Sequence, residues 1–159
     1  MHLDDPDGRL IIAFLERIGI GVTLEPLSDD TFLPGIAIRD GALVADPAKL
    51  RWPSDLLHEA GHIAVTAPED RPTLNQVRDD PGEEMAALAW SYAAALEIGL
   101  DPRILFHDDY RGGGAALASG FAAGRGVGAP MLAWFGMCSE PHRRDDPLPA
   151  YPKMARWLR

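Results

Sequence analysis

The sequence predicts an α+β domain in which a small antiparallel sheet packs on helices. Three observations support this class: an amphipathic helical pattern near the start, short alternating stretches after it, and two further helical stretches. A chain of 159 residues that is 47% hydrophobic fits one globular domain, residues 1–159. Residues 5–98 are the expected core of that domain and residues 99–159 a helical and irregular C-terminal part.

The first helix is predicted over residues 5–19. Asp5 or Asp7 is the expected N-cap and Gly19 the expected end. Its apolar positions recur at helical spacing: Leu10, Ile11, Phe14, Leu15 and Ile18. After it, residues 21–27 alternate as a strand does, and residues 35–46 (GIAIRDGALVAD) predict a hairpin, because Asp40-Gly41 is a strong two-residue turn signal.

The second half of the chain is predicted to be mainly helical. Ser54 or Asp55 is the expected cap of a helix that runs to about Val65, and a loop separates it from a long helix over about 83–98. Two short helices are expected near 112–123 and 129–136. A Pro-rich tail then leads into a short terminal helix that docks through Met154, Trp157 and Leu158.

Composition excludes several classes of function. The net charge of −9 disfavours nonspecific binding to nucleic acid or to anionic membranes. No apolar run approaches the roughly 20 residues that span a bilayer, and the acidic start lacks the basic residues of a secretory signal, so a cytoplasmic location is expected. The single cysteine, Cys138, excludes an intrachain disulfide and is expected to be buried.

The segment HEAGH, residues 58–62, carries the clearest chemical signal. On a helix His58 and His62 project from one face, one turn apart, so both imidazoles can bind one metal ion. Glu59 lies beside that ion and can take a proton from a water molecule bound to it. The pattern is typical of a zinc hydrolase. Gly61, in the middle of this helix, indicates that another segment approaches closely.

A zinc site of this kind needs a third protein ligand. Glu84 is the preferred candidate, because helical phase places it at the edge of the apolar face of the next helix. That face is defined by Met85, Leu88, Tyr92 and Leu96. The same phase points Glu83 to solvent, where it would favour the helix dipole, although it remains the second candidate. Glu69 and Glu97 are further candidates without a phase argument.

Two further side chains could take part in catalysis. His107 and Tyr110 precede a Gly-rich bend, and either could stabilise the oxyanion of a tetrahedral intermediate. The alternative is a structured loop with partly buried aromatic residues. The run Gly112-Gly113-Gly114 lacks the Lys and Ser/Thr of a phosphate-binding loop.

The chain resembles the ImmA/IrrE-like group of HExxH metallopeptidases, which are gluzincins. The N-terminal helix, the hairpin GIAIRDGALVAD, HEAGH and the segment EEMAALAWSYAAAL carry the resemblance, which covers roughly residues 5–98. It implies a zincin-like fold, zinc ligands His58, His62 and Glu84, and Glu59 as catalytic base. It also implies that the hairpin lies along the cleft and pairs with an extended substrate. Residues 105–159 match nothing in that group, and residue 91 is Ser where Ala commonly stands.

We therefore expect a zinc-dependent hydrolase that acts as a narrow-specificity peptidase on a protein or peptide substrate. Narrow specificity is expected because the Gly-rich residues 105–137 would form an adaptable cover over the site. One alternative is a non-catalytic zinc-containing module that binds a protein. Another is a metal-dependent hydrolase of a small amide or ester.

Overall fold

The computed structural model describes residues 2–110 and 113–159, and within them it forms six α-helices and a three-stranded sheet. In chain order the elements are α1 (Pro6–Ile18), β1 (Val22–Leu24), β2 (Ile36–Arg39), β3 (Ala42–Ala45), α2 (Asp55–Val65), α3 (Pro81–Glu97), α4 (Pro102–Leu105), α5 (Gly114–Ala122) and α6 (Ala129–Trp134). The α+β class is confirmed. The start of the helix predicted near 112 falls outside the described residues.

The sheet is mixed rather than antiparallel, with strand order β1-β3-β2. β2 and β3 form the predicted hairpin, and both turn residues, Asp40 and Gly41, have positive φ as a tight two-residue turn requires. β1, however, pairs with β3 in parallel. The antiparallel prediction is wrong for β1 because β3 lies between β1 and β2. The chain reverses after β1 and again at the Asp40-Gly41 turn, so β3 runs in the same direction as β1. A strand has the same alternation in either direction, so its pattern does not encode this pairing.

Helices α2 and α3 form the centre of the molecule. A Cβ on Gly61 would lie 2.8 Å from the carbonyl oxygen of Ala87, so the backbone of α3 is the segment that approaches Gly61. This close approach was predicted from the glycine. All residues from Leu56 to Val65 of α2 are buried, and so are all from Ala86 to Ala95 of α3. Both helices are therefore enclosed on nearly every side.

The helix starts differ from the predicted caps. Asp5 precedes α1 and Ser54 precedes α2, but neither side chain caps its helix. Ser54 already has helical dihedral angles, φ −63° and ψ −21°, so the turn before it continues directly into α2. Asp55 contacts His107 instead. Only α3 has a side-chain cap among these three, from Asp80, whose carboxylate accepts the N–H groups of residues 82 and 83.

The end of the chain docks on the core without forming the predicted terminal helix, since residues 151–159 are turns and extended backbone. Trp157 packs edge-on against Phe14 and Trp90, with ring centroids 5.0 and 5.7 Å away, so the predicted docking is present. Cys138 is buried, as expected. No helix in the described part of the chain is long and apolar enough to cross a membrane.

Candidate metal centre

Three side chains from α2 and α3 converge on one point. The Nε2 atoms of His58 and His62 lie 3.4 Å apart. Glu84 of α3 places Oε1 3.4 Å from the first of these nitrogens and Oε2 3.1 Å from the second. Both histidines are buried, whereas the Glu84 side chain is 47% exposed. One side of the group therefore faces solvent.

These separations suit a tetrahedral zinc ion. Zinc bonds to nitrogen and oxygen ligands are about 2.0–2.1 Å long, so neighbouring ligand atoms in a tetrahedron are about 3.3 Å apart. The observed spread of 3.1–3.4 Å brackets that value. A cluster of two imidazoles and one carboxylate is also a donor set that zinc accepts. The residues therefore fit the ion. Glu69 and Glu97 do not join this cluster in the described part of the chain.

Each imidazole is also held from its other nitrogen. Nδ1 of His58 lies 2.8 Å from the hydroxyl of Tyr110, and Nδ1 of His62 lies 3.1 Å from Oε1 of Glu83. Such outer partners fix the orientation and tautomer of a ligating histidine and leave Nε2 free for the ion. The outer partner is a phenol for His58 and a carboxylate for His62.

The position of Glu83 corrects the prediction that it points to solvent. Its side chain is only 11% exposed. The phase argument assumed an apolar face centred on residues such as Met85 and Leu96, yet these two are 38% and 42% exposed. Because α3 is buried from 86 to 95, hydrophobic periodicity does not mark a solvent side, and no sequence signal identified Glu83 as a partner of His62.

Two neighbouring carboxylates, Glu83 and Glu84, control the charge of His62. Burial acts to lower the pKa of His62, but hydrogen bonds with Glu83 and Glu84 outweigh it and raise this pKa to about 9. Hydrogen bonds from His58 and His62 hold the pKa of Glu84 well below its ordinary value. The cluster is thus built for a positive charge between the carboxylates, which a proton or a metal ion can supply.

Glu59 lies on α2 between the two histidines in sequence, and it is 7% exposed. Burial raises the pKa of Glu59, and the nearby His58 and His62 partly offset that effect. Among the described residues no hydrogen bond involves its carboxylate. It is therefore available as a proton acceptor beside the cluster.

His107 lies outside the group formed by His58, His62 and Glu84. Its Nε2 is 2.9 Å from Oδ1 of Asp55, and its ring stacks on Trp52 at 4.4 Å. Burial raises the pKa of Asp55, and the hydrogen bond with His107 partly offsets this. Sequence reasoning missed Asp55, although its spacing to His58, Glu59 and His62 places it on the same helix face.

Tyr110 connects the two groups of side chains. Its ring lies 5.5 Å from that of His107 and 5.7 Å from that of His58. Burial raises the pKa of the Tyr110 hydroxyl, which therefore remains protonated at neutral pH. Of the two residues proposed for the oxyanion, only Tyr110 thus touches a candidate ligand.

Comparisons of the whole chain with family models, curated proteins and solved structures find no match.

Proposed function

We propose that the protein is a zinc-dependent hydrolase with His58, His62 and Glu84 as metal ligands. The observation that carries this proposal is the convergence of two imidazole Nε2 atoms and the two carboxylate oxygens of Glu84, at separations of 3.1–3.4 Å, while both imidazoles are held separately through Nδ1. Two surface histidines on an ordinary helix would have no reason to share a carboxylate and to possess outer partners.

Glu59 would serve as the general base. When bound, zinc lowers the pKa of a water molecule and polarises a carbonyl group. Glu59 would take the proton of the attacking water and pass it to the leaving group, as expected of a carboxylate whose burial raises its pKa. With hydrogen on Nδ1, His58 would donate to the oxygen of Tyr110, which leaves the phenolic O–H free to donate to substrate.

A peptide is the proposed substrate class, and narrow specificity is proposed with it. The resemblance to ImmA/IrrE-like metallopeptidases supports this choice. A second support is β2, which has β3 on one side only in the described sheet and so offers an edge for an extended chain. A small amide or ester would not use such an edge.

Metal analysis tests the first part of the proposal. Protein purified without chelators should contain about one zinc ion per chain, since the described residues form one three-ligand cluster. Protein that arrives metal-free and also rejects added zinc would remove the basis of the proposal.

Two matched variants on the same helix separate the ligand from the base. His62→Ala should lose the metal, whereas Glu59→Gln should retain it and lose hydrolysis of a peptide library. If Glu59→Gln cleaves peptides as fast as wild type, the assigned mechanism is wrong. If wild type binds zinc and cleaves no peptide, a non-catalytic zinc-containing module replaces the hydrolase.

A further inference from the structure

A second concave feature lies next to the candidate metal centre. This cleft of about 470 Å³ is bordered by the start of α1, by Trp52 and by residues 103–108. Three carboxylates line it, those of Asp5, Asp7 and Asp108. Among the described residues of its wall the only cation is Arg103, which Asp101 already engages at nitrogen–oxygen distances of 2.5–3.1 Å. The cleft therefore carries a net negative charge.

A buried imidazole forms another part of the wall. His107 is 8% exposed and packs against Trp52. Because its Nε2–H donates to the carboxylate of Asp55, its Nδ1 retains a lone pair. That nitrogen has no hydrogen-bond partner in the described residues. A buried acceptor without a donor is destabilising, so binding of a ligand that brings an N–H group to it would be favoured.

We propose that this cleft binds the guanidinium group of an arginine side chain in the substrate. Carboxylates and an imidazole lone pair are all acceptors, and a guanidinium group supplies five N–H donors and a permanent positive charge. An ammonium group has only three donors and a less extended shape. The inference rests on the proposed function only in assigning this arginine to a substrate, since binding in the cleft does not require the metal.

The position of the cleft suits a peptide that also reaches the metal centre. Asp55, which holds His107, lies one helical turn before His58 and Glu59. Tyr110 lies between the rings of His107 and His58, so these two rings are at most roughly 11 Å apart. An extended chain advances about 3.3 Å per residue. An arginine two or three residues from the hydrolysed bond would therefore reach the cleft.

The experiment compares two probes of nearly the same shape, Nα-acetyl-arginine amide and Nα-acetyl-citrulline amide. Each is titrated into metal-free wild-type protein and into zinc-loaded Glu59→Gln protein, with the indole of Trp52 and the imidazole of His107 observed by NMR. The arginine probe should shift both signals and bind roughly tenfold more tightly than citrulline at low salt, because only arginine is charged. Added salt should reduce this preference.

A charge-matched pair of variants locates the site. Asp7→Asn combined with Asp108→Asn should weaken arginine binding roughly threefold to tenfold, since two carboxylates of the wall are neutralised. Asp4→Asn combined with Asp30→Asn, which removes two exposed carboxylates outside the cleft lining, should have little effect.

Three results would overturn the inference: equal binding of citrulline, shifts that avoid Trp52 and His107, or tighter binding of Nα-acetyl-glutamate amide, which would show that Arg103 governs the cleft. The titration of metal-free wild-type protein needs neither zinc nor turnover. A failure of the metal analysis and a failure of arginine binding are therefore distinct outcomes.

Discussion

The α2–α3 pair and the tail, residues 139–159, both contribute to the core, but one is regular and the other irregular. The pair is regular, and its backbones meet at Gly61 and Ala87. The tail has no helix or strand, yet the carbonyl oxygen of Trp157 accepts the indole N–H of Trp90, at the centre of α3. Tyr151 likewise donates its hydroxyl to the carbonyl of Ala89.

The comparison teaches that regularity and contribution to the core are separate properties. A helix satisfies its own backbone and needs only an apolar face to dock. An irregular segment must satisfy its backbone through contacts elsewhere, as Arg159 does by donating its amide N–H to the carbonyl of Ala64 in α2. The tail thus hydrogen-bonds to both helices that carry the candidate ligands, to α2 at Ala64 and to α3 at Ala89 and Trp90. Four variants test how much the helix pair and the tail each contribute to stability and to the candidate metal centre.

Trp157→Ala should have the largest effect. It removes edge-on ring contacts with Phe14 and Trp90, and large aromatic truncations in packed sites cost about 3–5 kcal/mol. Since Trp157 is partly exposed, we expect about 3 kcal/mol, measured by urea unfolding of the metal-free protein. Trp134→Ala is the matched control, because Trp134 is 87% exposed and should change stability by less than about 0.5 kcal/mol. Equal effects of the two variants would show that Trp157 contributes no more to stability than an exposed tryptophan does.

Gly61→Ala tests the helix pair directly. Its new methyl group would lie 2.8 Å from the Ala87 oxygen and 3.0 Å from its Cα, so α2 and α3 must separate. Overpacking costs about 1–3 kcal/mol and the better helix propensity of alanine returns about 1 kcal/mol, so a net loss of up to about 2 kcal/mol is expected. Zinc affinity should fall too, because Glu84 moves with α3.

The control for that change is Gly120→Ala in α5, where the added Cβ meets no atom within 4 Å. It should stabilise the protein by about 0.5–1 kcal/mol through helix propensity alone. If Gly61→Ala behaves like Gly120→Ala in thermal unfolding, the close contact between the two helices is not a constraint.

The same contrast explains what the sequence could predict. Hairpin, helices and histidine pair follow from local rules: the Asp40-Gly41 turn, helical spacing, and the i,i+4 geometry of His58 and His62. The parallel pairing of β1, the contact of Glu83 with His62 and the irregular backbone in place of the predicted terminal helix depend on segments far apart in the chain. Periodicity carries no signal for such contacts.

Glu83→Ala separates the two adjacent acids of α3. Losing the outer partner of a ligating histidine typically costs about 10–100-fold in metal affinity, and this loss is expected here because Glu83 holds Nδ1 of His62. Glu84→Ala should cost more, because it removes a ligand atom itself. Competition with a chromogenic chelator measures both. Glu69→Ala, at an exposed position, serves as the control. Wild-type affinity in Glu83→Ala would show that the buried contact does not position His62.

Arg71→Ala tests the hydrogen bonds that connect the end of α2 with the tail. The guanidinium donates to the carbonyls of Ile63 and Thr66 at the end of α2 and to that of Arg159 in the tail, at 3.2, 3.1 and 2.7 Å. Net contributions of single hydrogen bonds are near 1 kcal/mol, and water can reach part of this site after truncation, so a loss of about 1–2 kcal/mol is expected.

Arg78→Ala is the matched control for Arg71, since Arg78 forms one surface ion pair with Asp70 and should cost less than about 0.5 kcal/mol. Hydrogen exchange adds a local readout. In Arg71→Ala the amide of Arg159, which is bonded to Ala64, should exchange faster, while amides in the middle of α3 keep their protection. If both sets of amides lose protection together, the tail and the helix pair open as one cooperative unit. Loss of protection in the tail alone would instead show that this segment opens while α2 and α3, which carry the candidate ligands, stay closed.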